Sequence, residues 1–63
     1  MTKLTQEEFD LVIEGRFGRA VKLHSDRAKL PATESYVYVE WVQAKIQDGL
    51  TWGEYNNEEE EKP

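Results

Sequence analysis

Nucleophilic chemistry requires a hydroxyl or thiol beside a base, with a third group orienting that base. In this chain the only residues of those types that stand together are His24, Ser25 and Asp26. On a helix, successive side chains point about 100° apart, so three neighbours cannot converge on one another. His24 is better read as a residue near a helix C-terminus, helping to satisfy the last carbonyls. The paired carboxylates Glu7 and Glu8 sit where a first helical turn is expected, and the helix dipole accounts for them. With no cysteine and a single histidine, neither a disulfide nor a zinc site within one chain is expected. A chain of 63 residues has little volume for the pocket that an enzyme or a cofactor needs. We therefore expect no catalytic residues, no metal, no cofactor and no enzymatic activity.

Two sets of residues suit binding instead. Arg16, Arg19 and Lys22 recur every three residues and, with Arg27 and Lys29, make a basic stretch over 16–29. Arg16, Arg19, Lys22 and Arg27 are candidate phosphate ligands, and Gly15 and Gly18 would allow close backbone approach. The plainer reading is a solvated face that pairs with the flanking acidic segments. The second set is aromatic: Tyr36, Tyr38, Trp41, Trp52 and Tyr55. Tyrosine and tryptophan are enriched at interface hot spots, and five of them exceed what so small a core is expected to bury. Val37, Tyr38, Trp41, Trp52 and Tyr55 are the candidate partner-binding residues.

Charge follows an acidic–basic–acidic order. Glu7, Glu8, Asp10 and Glu14 precede the basic stretch, and Glu34, Glu40, Asp48, Glu54 and Glu58–Glu61 follow it, for a net charge of −5. One basic face does not dominate, which disfavours simple nucleic-acid binding. The later acids can solvate the chain, or imitate a nucleic-acid backbone and enter the basic groove of a protein that handles one.

The elements that must position these residues are helical. Thr5-Gln6-Glu7-Glu8 has capping-box spacing, with Leu4 placed to staple onto Phe9. Phe9, Val12, Ile13, Phe17, Ala20 and Leu23 then keep one helical phase, with His24 at its margin. A helix is predicted over about 6–24, with a break near Gly15–Gly18 allowed by the cost of glycine in a helix. Partial alternation at Phe17, Val21 and Leu23 gives a competing reading, a short hairpin in residues 10–24 packed on helix 34–48, which would make the fold α+β.

A connection over 25–33 follows, in which Pro31 disfavours helix at Leu30, and Thr33 or Ser35 offers an N-cap. The central helix, 34–48, carries two apolar stripes. Val39, Val42, Ile46 and Leu50 form one, expected to pack on Phe9, Ile13 and Phe17. Val37, Trp41 and Ala44 form the other, with Tyr38 between them. A surface helix ordinarily needs only one such stripe. Gly49 is placed as a left-handed C′ residue with Leu50 folding back after it, and Thr51-Trp52-Gly53-Glu54 repeats the capping-box spacing before a short turn over 51–55. That turn has something of a helix-turn-helix corner, but no recognition helix follows it.

The expected fold is mostly α, a small helical hairpin or three-helix domain over residues 1–55, with 56–63 a disordered acidic tail. No membrane span or signal peptide is visible, which points to the cytoplasm, and Met1 and the charged end lead us to expect a complete small protein. A core this small supplies only about 3–5 kcal/mol, so a homodimer or a protein partner is expected to cover the second stripe. The expected function is a small acidic protein-binding module that modulates or inhibits a partner protein, one that handles nucleic acid being a candidate. The alternative is a nucleic-acid-binding regulatory factor using the basic segment 16–29.

Overall fold

The computed structural model describes residues 2–57, and within them the chain forms four helices and no strand. They are α1 (Gln6–Ile13), α2 (Phe17–Ala28), α3 (Ala32–Gln47) and α4 (Trp52–Asn57). The fold is therefore mostly α, and the alternative hairpin over residues 10–24 is not formed. That stretch instead holds the end of α1, a tight turn and the first two turns of α2. Asn56 and Asn57 belong to α4, so helix extends past the boundary expected at residue 55, and the acidic run Glu58–Glu61 lies outside the described residues.

Local chemistry sets each boundary. The Glu8 amide donates to the Thr5 hydroxyl (3.2 Å), and the Thr5 amide donates back to the Glu8 carboxylate (3.0 Å). This reciprocal pair satisfies two amides that the start of α1 would otherwise leave open. α1 stops after two turns because Gly15 takes φ +86, a region open to glycine at little cost. The Gly15 amide then donates to the Val12 carbonyl and the Arg16 amide to the Leu11 carbonyl, which together form a Schellman closure. The same pattern ends α3, where Gly49 has φ +108 and Gly49 and Leu50 donate to the carbonyls of Ile46 and Lys45. α4 opens on the second capping box, Thr51 with Glu54.

Two boundaries and one burial differ from the sequence reading. α2 continues through His24 to Ala28 and ends on Lys29, a non-glycine residue with φ 59. The connection to α3 is accordingly three residues long. α3 begins at Ala32, directly after Pro31, whose missing amide and fixed φ suit a helix start. Thr33 and Ser35 therefore lie inside its first turn and cap nothing. Ile13, which helical phase places under the central helix, is instead the last residue of α1 and is exposed. The turn at Gly15 resets the helical phase, so the register that runs from Phe9 through Ile13 to Phe17 in sequence is not shared in space.

The core holds Leu4, Phe9 and Val12 from the first segment, Ala20 and Val21 from α2, Val39 and Val42 from α3, and Tyr55 from α4. Phe9 is its centre of gravity, with Tyr55 stacked on it and Trp52 edge-on, each 5.3 Å between centroids. α3 packs on α2 and more lightly on α1, burying Val39 and Val42 completely, with Ile46 and Leu50 half-covered. The segment before α1 is pinned by side chains from two helices. His24 donates from Nε2 to the Thr2 carbonyl (2.7 Å), Arg27 donates to the Lys3 carbonyl (2.7 Å), and the Leu4 amide donates to the Tyr55 hydroxyl (2.7 Å).

Candidate functional site

At 3.6 residues per turn, Val37, Trp41 and Ala44 stand on the side of α3 opposite Val39, Val42 and Ile46. The structure bears this out. Val39 and Val42 are 0% exposed, whereas Val37 is 64% and Trp41 48% exposed, with Ala44 open beside them. Tyr36 adds a half-exposed ring at the edge, held edge-on against Phe17 at 5.0 Å. Val21, Ala32, Thr33, Tyr36 and Val37 line a shallow, open, largely apolar groove where α2 meets α3.

The Trp41 ring is held on two sides. It stacks on Tyr38 at 6.0 Å between centroids, and the Lys45 ammonium lies 5.3 Å from its centroid on the cation-attracting face. A ring fixed in this way loses less side-chain entropy when a partner covers it. Glu34, Glu40 and Asp48 are exposed around the same side of α3.

The five candidate partner-binding residues divide between surface and core. Val37 and Trp41 are exposed on one face. Tyr38 is half-buried, with its hydroxyl 2.6 Å from that of Tyr55, and Trp52 is half-buried against Phe9. Tyr55 is only 1% exposed and belongs to the core. α4 explains the difference: it folds back over α1, so two aromatic residues that look like surplus in the sequence close the domain. Tyr36 is the exposed aromatic residue outside the candidate set, although it belongs to the same aromatic group in sequence.

The four candidate phosphate ligands also separate. Arg16, Arg19 and Lys22 are exposed, and Lys22 sits 3.6 Å from Asp26 one turn on. Arg27 faces the other way, toward α1, where it donates from Nη2 to Glu8 Oε1 (2.7 Å) and from Nε to Oε2 (3.1 Å). Glu8 is buried. Burial on its own would raise the carboxyl pKa, but the Arg27 hydrogen bonds, the Thr5 amide and the Arg27 charge outweigh it and hold Glu8 below its ordinary value. The hydrogen bonds that Arg27 donates to Glu8, opposed by partial burial, raise the Arg27 pKa in return.

His24, Ser25 and Asp26 do not converge. His24 is fully buried in the middle of α2, with Nδ1 2.5 Å from the Ser35 hydroxyl and its ring stacked on Tyr38. The Thr2 carbonyl can only accept, so Nε2 carries a proton. The Ser35 oxygen is also 3.2 Å from the Val21 carbonyl. Ser35 and His24 are both 0% exposed, so no substrate can approach them. The pair joins α2, α3 and the N-terminal segment, and the sequence reading of His24 as a helix-end residue is corrected accordingly.

Among the described residues no group of three or more His, Cys, Asp or Glu side chains is placed to hold a metal ion. No helix there is long and apolar enough to cross a membrane. Compared with known proteins, the chain matches no family model, no curated protein and no solved structure.

Proposed function

We propose that this chain is a small acidic protein-binding module that acts by covering a partner's surface with the outer face of α3, and so modulates or inhibits that partner. The observation that carries this reading is the contrast along one helix: Val39 and Val42 are wholly buried, and Val37 and Trp41 stand in solvent on the opposite side. Isolated exposed apolar residues are normal, but a contiguous set on one face characteristically marks a contact surface. Tryptophan at its centre, already oriented by Tyr38 and Lys45, suits a hot spot. The carboxylates of Glu34, Glu40 and Asp48 favour a partner whose apolar patch carries cations beside it. The basic groove of a nucleic-acid-handling protein has that chemistry.

The alternative, direct nucleic-acid binding through segment 16–29, has less support. Arg27 is committed to Glu8, and Lys22 is paired with Asp26. Photo-crosslinking in the native cell, from a reactive residue introduced at Ala44, tests the proposal. Adducts to a protein that disappear with Val37→Asp are expected. Unchanged adducts in that variant, or a gel shift with DNA or RNA that depends on Arg16 and Arg19, would overturn it.

A further inference from the structure

We infer that the outer face of α3 takes a second copy of this chain, the two α3 helices lying antiparallel about a dyad between Val37 and Trp41. This rests on reading that face as a protein-contact surface, and it names a second copy as the occupant that a modulated partner would have to displace. Glu34, Val37, Trp41, Ala44 and Asp48 are spaced alternately three and four residues apart, the spacing of a helix–helix seam. All five are exposed. The seam is apolar at its centre and carboxylate at both ends, and that order selects the geometry. Parallel pairing would set Glu34 against its own copy and Asp48 against its own copy, two layers of like charge.

Antiparallel pairing seats Val37 of each copy on Trp41 of the other and brings Glu34 level with Ala44. Lys45 follows Ala44, so Glu34 of one copy meets Lys45 of the other. The dyad repeats that contact, as an isologous interface must. Lys45 already leans over the Trp41 ring and so stands at the edge of the seam. The chain thereby supplies the feature its acidic rim calls for, an apolar patch with a cation beside it. One element opposes the pair. Glu40 lies next to the dyad, on the flank away from Lys45, and would approach its own copy.

Sedimentation equilibrium of the full chain over a wide concentration range tests this, with circular dichroism melts verifying that each variant is folded. The wild type is expected to approach twice the monomer mass as concentration rises. Glu34→Lys and Lys45→Glu should each weaken association at least tenfold, because each sets like charges together twice. An equimolar mixture of those two variants should associate about as well as the wild type, since every cross-pair is then complementary. Glu40→Gln should tighten association severalfold. A monomer at every concentration would overturn the self-pairing while leaving the protein-contact reading to the crosslinking result. Association that ignores the single charge reversals, or a mixture no better than its components, would also overturn it.

Discussion

Replacing Arg27 with methionine keeps the apolar stem and removes the guanidinium. Three hydrogen bonds are lost, two to Glu8 and one to the Lys3 carbonyl. The Glu8 carboxylate stays buried with the Thr5 amide as its remaining partner among the described contacts. Breaking a fully buried ion pair typically costs 3–5 kcal/mol. The Arg27 side chain is 39% exposed, so solvent already screens part of the interaction, and a loss of about 2 kcal/mol is the reasonable expectation. In a domain of this size that lowers the melting temperature by roughly 10 °C. The effect should depend on pH in a definite direction. The pKa of Glu8 is lower in the folded protein than in the unfolded chain, so its stabilisation is complete above the unfolded value, about 4.3, and disappears as pH falls through the folded one. Thermal melts followed by circular dichroism at pH 7 and pH 3 should therefore show a large gap between wild type and Arg27→Met at the higher pH and a smaller one at the lower. A variant that melts within 1–2 °C of wild type at pH 7, or a gap that does not narrow in acid, would refute the assignment.

Two further substitutions probe the backbone and the N-terminal clamp. Lys29 occupies a left-handed conformation that costs a non-glycine residue about 1 kcal/mol, so Lys29→Gly should raise the unfolding free energy from urea titration by a few tenths to about 1 kcal/mol; a decrease would show that the Lys29 side chain contributes more than its backbone costs. Tyr55→Phe keeps the ring on Phe9 but strands the Leu4 amide and removes the bridge to Tyr38, and a loss of about 1–3 kcal/mol is expected by the same measurement. A phenylalanine variant as stable as wild type would mean that the ring alone holds α4.

What was legible in the sequence follows from how local each signal is. The capping boxes at Thr5 and Thr51 and the left-handed Gly49 depend on groups within a few residues, and all form as read. The two stripes of α3 also came through, because helical periodicity fixes opposite faces whatever surrounds them. The fate of Ile13 did not. Its phase matched Phe9 and Phe17, and periodicity does not register a turn that resets the phase between them, even though Gly15 marked where one could fall. The burial of Tyr55 and the half-burial of Trp52 escape local pattern for a related reason. Whether an aromatic residue is surplus depends on whether α4 returns across Phe9, and no local pattern specifies that return. The clamp on Thr2, Lys3 and Leu4 uses backbone groups, which have no sequence signature. It also draws in His24 and Arg27, which local pattern reads as a helix-end residue and a phosphate ligand and which bond here to groups far away in sequence.

On the function proposed, α3 works in two directions, one stripe holding its own domain together and the other turned outward for another protein. The most direct test is a pair of melts, at a dilution where chains stand apart, of two aspartate substitutions two residues from each other. Val39→Asp places a charge in the core and should abolish cooperative unfolding. Val37→Asp places the same charge in solvent and should leave the melting temperature within a few degrees of wild type. Comparable unfolding by both substitutions, or a fold that tolerates the charge at Val39, would contradict the division of α3 into an inner and an outer stripe.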